Sequence, residues 1–369
     1  MSLSANNGSP WRTGFHFAAT CFSRAGFDVV AMLQLTLVIV MRRLLTAIPT
    51  LLLLSLVVFV VLRLLPVDPL GMMLPPSATA ADSAALRQQL GFDRPIPVQF
   101  LIWLWDAVRG SLGNSINFRQ PVTTLMLAAI PATIELAMAG LVLALLISIP
   151  GGVLAYRLYQ RQRETAADLS VTLLQSVPSF LWALLLIIVF GVLWPVLPFS
   201  GRVGQEVTLP GITGFVLIDL LLTGQFQAWL GALSHLLLPA LALALSFAPL
   251  VIRVLRSSLI DAANEPYVEV ARLRGLSESR ILWRHMLKNA ALPTITMIGV
   301  QFGFLFSSAL LVEMIFGFPG VGNLMVQAVK GNDLPLIQGI ALLFCVLMLA
   351  INAVVDVLYA LLNPRLRTL

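Results

Sequence analysis

Few side chains in this sequence are equipped for chemistry, and they stand apart from one another. The histidines are His16, His235 and His285, the cysteines Cys21 and Cys345, and none lies at a metal-binding spacing or beside a nucleophile and base. The spans hold no His, Cys or Met cluster, which argues against direct metal ligation. His235, in SHLLLP, reads as an interfacial polar residue. Acids inside a bilayer are the usual pointer to proton or ion relays. Here Glu135, Glu313 and Asp356 stand at the ends of apolar runs, and none at a middle. GFPGVG at 317–322 superficially resembles a phosphate loop, but a Walker A loop needs a lysine to surround the phosphates with the backbone amides. That lysine is missing, so Pro319 and the glycines are read as a sharp turn of the chain. No catalytic, cofactor-binding or metal site is assigned.

The informative segment is polar. EPYVEVARLRGLSESRILWRHMLKNAALP at 265–293 is charged and helix-forming, between two long apolar runs. Pro266 suits a first helical position, Asn264 or Glu265 can cap the amides before it, and Gly275 followed by Leu276 makes a helix stop. A second helix starts after Ser277, with Glu278 in its first turn, and is expected to stop before Pro293. A helix of about nine residues is marginal alone in water, so the first needs a packing partner. Val268, Ala271 and Gly275 form a narrow small-residue stripe for close approach, while Arg272 and Arg274 point to solvent. The stripe meets either another protein, or the chain's own membrane helices or the lipid surface.

The remainder is built for a bilayer. Hydrophobic residues make up 59% of the 369 positions, charged residues only 11%, and the mean hydropathy of +0.93 is outside the range of soluble domains. A bilayer core of roughly 30 Å needs about 20 apolar helical residues. Runs of that size are 44–62, 136–156, 169–200, 220–252, 289–312 and 334–355. The expected fold is an all-α integral membrane protein with six transmembrane helices.

The net charge of +6 follows topology and shows no nucleic-acid face. With the first span running outward, 16 of 23 basic residues become cytoplasmic, in the N-terminal segment, the 157–163 loop, the 253–288 loop and the C-terminal tail. Both termini are then cytoplasmic. Residues 1–40 form an extension of uncertain status: 29–41 is apolar but too short to span, so Met32 or Met41 is the start or the segment is an interfacial helix. Between spans one and two, Phe100, Leu101, Leu104, Ala107 and Val108, with Trp103 and Trp105, suggest an amphipathic helix on the outer membrane surface. ITGFVLIDLLL, interrupted by Asp219, suits a second re-entrant or surface helix.

EVARLRGLSESRILWRHMLKNAALP resembles the EAA loop of ATP-binding cassette importer permeases, in the longer form of the dipeptide, oligopeptide and nickel permease family. The matching positions are Ala271, Gly275, Leu276, Ser277, His285, Asn289 and Pro293. MRRLLTAIPTLLLLSLVVFVVLRLLPVDP, LGFDRPIPVQF, IPATIELA, HLLLPALALAL, VEMIFGFPGVGNLMVQAVKGNDLPLIQG and VDVLYALLNPRLR resemble other segments of that family, so the likeness runs from about residue 41 to the end. Val270 replaces the pattern's second alanine, and the 18 positions from Gly275 to Pro293 are the longer spacing of the peptide and nickel branch.

The resemblance implies a type I importer permease fold with a helical periplasmic segment, in the bacterial inner membrane. It implies a first helix and external segment over 41–120, a permease core over 121–362 with the EAA loop at 265–293, and a tail over 363–369. It also implies a second homologous permease, two cytoplasmic ATPases that bind the ATP, and a periplasmic or lipid-anchored solute-binding protein. The ATPase-coupling residues would be Tyr267, Glu269, Ala271, Arg274, Gly275, Leu276, Ser277, His285, Asn289 and Pro293. The chain itself would be a transport subunit carrying peptides, or else a nickel chelate, glutathione or opine. A proton- or ion-coupled secondary transporter is the rival, and wants central ionisable groups or broken helices in related halves.

Overall fold

The computed structural model describes residues 41, 45–64, 88, 93–204 and 211–362, with side chains described through 357. The N-terminal extension and the tail after 362 lie outside these residues. The first helix is α1 (Leu45–Leu64). It is followed by α2 (Ile96–Val108), α3 (Val122–Gln160), α4 (Glu164–Ser176), α5 (Ser179–Leu186, running on as a π-helical stretch to Leu193) and α6 (Val216–Leu222). Then come α7 (Phe226–Ala263), α8 (Pro266–Leu273), α9 (Glu278–Phe316), α10 (Val321–Lys330) and α11 (Leu334–Leu362). Among the described residues five helices are long and apolar enough to cross a bilayer, namely α1, α3, α7, α9 and α11, and the bent pair α4–α5 is the sixth candidate. Residues 50–352 form one compact unit, which holds the packing and the sites described below.

Three expectations about the spans need correction. The run 169–200 is not one straight helix: it bends by 91° between α4 and α5. Pro178 has no N–H and drives Val177 out of the helical region, where Val177 sits at φ −94°, ψ 115°. The run 220–252 likewise starts late, at Phe226, because Gly224 at φ 71° separates α6 from α7. Conversely, no helix stops at Pro293, which lies inside α9. Continuing the helix through a proline sacrifices one bond, whereas ending it would strand several backbone groups away from water.

The core is the crossing of α3 and α7. Ala132, Leu136 and Ala144 meet Ala240, Leu243, Ala244 and Val251, all buried, with α9 laid over them through Leu305, Phe306, Ala309 and Val312. Small residues allow this approach, as in other membrane helix pairs. A methyl added at Gly152 would sit 2.7 Å from the Leu255 side chain. Beside α1, Phe100 of α2 meets Phe59 edge-on at 5.5 Å and Trp103 tilts against it at 5.8 Å. The buried face of α2 is therefore Phe100, Trp103, Leu104 and Ala107, while Leu101 and Val108, expected on it, are exposed.

Candidate functional site

The polar segment folds as a helical hairpin at one end of α3, α7 and α9. Pro266 opens α8 as expected, but neither Asn264 nor Glu265 caps it with a side chain; the Val268 N–H donates to the Glu265 carbonyl instead. The helix ends at Gly275, which adopts φ 70°, and the Leu276 N–H closes the turn onto the Ala271 carbonyl. A methyl at Gly275 would meet nothing within 4 Å, so glycine serves the left-handed backbone and not close packing. Across the turn Arg272 Nε donates to Glu278 Oε1 at 2.8 Å, and the pair is solvent-exposed.

The small-residue stripe resolves towards the chain's own interior. Val268 and Ala271 are buried in a cluster with Val153 and Tyr156 of α3, Leu255 and Leu259 of α7, and Ile281, Leu282 and Met286 of α9. Gly275 stays outside it. After Arg280 the backbone widens to π-helical geometry over Ile281–Met286, which turns Ile281, Leu282 and Met286 inward together, at spacings of one and five, and leaves Trp283 and Arg284 exposed. The hairpin is thus seated on the three helices by its apolar face. Its free face carries Glu269, Val270, Leu273, Arg274 and Ser277, with Leu273 82% exposed.

The ten expected site residues divide by place. Glu269, Arg274, Gly275 and Ser277 surround the exposed turn, Ala271 is buried and Leu276 half-buried. Tyr267, His285 and Asn289 share an open cavity of about 410 Å³ with Arg284 and Lys288, and Pro293 is exposed one turn above Asn289. Arg284 and Lys288 were absent from the expected set, although like charges four apart on one helix face are a visible signal. Leu273 and Val270 were also missed, since nothing in a lone helix says which apolar residues stay uncovered.

At the opposite end of α3 the carboxylates hold loops. Glu135 pairs with Arg202 at 2.5 Å and accepts the Leu217 N–H, fastening Arg202 and the start of α6 to α3. The Thr213 hydroxyl and the amides of Thr213, Gly214 and Ile212 hold the Asp219 carboxyl below the usual carboxylate range. Glu313 accepts the Gly322 N–H at 2.7 Å and so holds the start of α10 against the end of α9, through the Gly317 turn at φ 59°. Asp333 is buried and accepts from Ser115 Oγ at 2.5 Å and the Asn117 N–H, tying α11 to the loop before α3. His235 Nδ1 lies 2.9 Å from the Ser200 carbonyl oxygen. These groups carry structural bonds, not a chain of sites leading through the protein.

With this geometry in view, the sequence matches the family model for the binding-protein-dependent transport system inner membrane component over residues 148–368. The N-terminal model of such membrane components matches residues 36–137. The chain belongs to this family. As a member it is a bacterial inner membrane component of an ATP-binding cassette importer, all-helical and of the type I permease fold. Among its relatives is the dipeptide transport system permease protein DppB of Escherichia coli, 35% identical over 89% of this chain and 98% of that protein. The di/tripeptide permease protein DppB of Pseudomonas aeruginosa is 36% identical over 88% and 97%. The glutathione transport system permease protein GsiC of Salmonella choleraesuis is 35% identical over 89% and 98%. Inner membrane components of this family are transport subunits, and the hairpin described above falls within the matched 148–368 region.

Proposed function

We propose that the chain is one of two homologous permease subunits forming the translocation path of an ATP-driven importer for di- or oligopeptides. Two cytoplasmic ATPases bind and hydrolyse the ATP, and a periplasmic or lipid-anchored binding protein delivers the solute. Residues 41–120 supply the first helix and external segment and 121–362 the permease core, with both termini in the cytoplasm. The names of the relatives support a peptide, with glutathione the alternative that one of them names; an opine or a nickel chelate are further alternatives that the family resemblance implies.

The observation that carries the coupling role is the seating of the hairpin. One face is locked into α3, α7 and α9 by buried Val268, Ala271, Ile281, Leu282 and Met286, while the other presents Val270, Leu273, Glu269 and Arg274 to the outside. A load applied to the free face reaches three membrane helices at once, because close-packed interiors transmit displacement. Gly275 stands at the turn where the lever meets the ATPase. The residues act through packing and orientation, and no bond is made or broken on this chain.

The test is energetic. In vesicles holding the permease pair and its ATPases, uptake of a labelled dipeptide should continue after the proton gradient is collapsed and stop when ATP is depleted. The reverse result would establish the proton-coupled transporter instead.

A further inference from the structure

The cavity between α8 and the π-helical stretch of α9 has no role in seating the hairpin, and its chemistry is one-sided. Its lining is Tyr267, Arg284, His285, Lys288 and Asn289. Two cationic side chains stand four residues apart on α9, and among the described residues no acidic side chain lines the space with them. Neighbouring like charges repel unless an anion joins them. The Tyr267 hydroxyl is buried and makes no hydrogen bond among the described residues, a state that costs free energy until a partner is supplied. The guanidinium, the ammonium and the Asn289 amide together offer donors that match a carboxylate. The nearby acids lie elsewhere: Glu278 is engaged by Arg272, and Glu269 is exposed on the free face of α8.

We infer that this cavity receives an acidic side chain of the ATPase subunit, forming a charged socket beside the apolar contact of Leu273 and Val270. The inference rests on the ATPase reading above and adds the chemistry of the partner. The placement of the walls favours a protein carboxylate over a lipid headgroup. They come from both arms of the hairpin whose free face carries Leu273 and Val270, so one partner seated on that face would bear on α8 and α9 together.

A water-soluble carbodiimide tests this in the purified complex of both permeases with the ATPases. The reagent activates a carboxylate, and the Lys288 Nζ displaces it to form an amide, with the reagent leaving as its urea. The expected product is a peptide joining Lys288 to an Asp or Glu of the ATPase. Arg284→Glu, an exposed change that should leave membrane yield intact, should weaken ATPase binding by about tenfold or more. Changing the crosslinked acid to Arg should restore much of that loss. An intact complex with no Lys288 adduct overturns the inference, as does normal assembly of the Arg284→Glu, Lys288→Glu double variant. So does protection of Lys288 from acetylation by phosphatidylglycerol vesicles when the permease is alone, with no protection by the ATPase. If the ATPases do not co-purify with the unmodified permease at all, the coupling reading itself has failed, and the socket falls with it.

Discussion

Gly275 and Asp219 show how single residues hold turns. Gly275 sits at φ 70° with open space around it, so a substitution there is strained by backbone conformation alone. Gly275→Val should cost about 1–2 kcal/mol in the turn and uncouple uptake from ATP hydrolysis, while Gly275→Asn, which tolerates the left-handed region, should retain most coupling. Uptake and membrane yield measured side by side check this; equal behaviour of the two variants would contradict it. Asp219 is held by Thr213 in its ionised form, so its folded pKa lies below the unfolded value of about 3.9. Its contribution is present above that value and lost as pH falls through the depressed folded pKa. Removing the Thr213 hydroxyl in Thr213→Val raises the folded pKa, so the 212–219 turn should open at a less acid pH than in the natural chain. The fluorescence of Trp229, which packs beside α6, followed against pH and corrected with Trp229→Phe, reports the shift.

At the scale of elements the hairpin depends on its seat. Val268 is wholly buried against α3, α7 and α9, so Val268→Asp places an unpaired carboxylate in that cluster at a cost of at least about 3 kcal/mol. The spans should still insert, yet ATPase co-purification should be lost, although Val268 itself is covered. Co-purification at the natural level would mean that the hairpin does not need this seat. The π-helical stretch 281–286 belongs to the same device: Leu282 and Met286, four apart, would share a face in an α-helix too, but the wider turn brings Ile281 onto that face with Met286, five residues on. Periodicity analysis assumes 3.6 residues per turn and has no means of finding it. The break at Val177–Pro178 was legible in principle, because a proline inside an apolar run has two outcomes. Pro178 ends a helix here, whereas Pro293 is carried through one.

For the whole molecule, hydrophobic length and the distribution of arginine set the arrangement in the membrane. A reporter fused after Arg163 should be active only as a cytoplasmic reporter, and one placed at residue 204 only as a periplasmic one; the opposite pattern would invert the topology. The same scale explains how the two ends of the bundle differ. One end is fastened by carboxylates, with Glu135 and Asp333 accepting bonds from distant loops and Glu313 from the start of the next helix, so its connections are fixed. The other end carries the hairpin, one face of which is seated while the other, with Val270 and Leu273 beside Glu269 and Arg274, is open.

The amino-acid sequence alone determined that the chain is a helical membrane protein, where its apolar runs lie, and that a glycine-broken polar hairpin joins two of them. Composition and spacing are local properties, and burial in lipid leaves a helix as the way to satisfy each span's backbone. The family likeness was also legible, since the matched segments extend through most of the chain. Only the tertiary structure decided which face of that hairpin is covered. It also brought Tyr267 to Arg284 and Lys288, and gave Glu135 and Asp333 their distant bonding partners. Those outcomes depend on which distant side chains fill the same space, and a linear pattern contains no such distances.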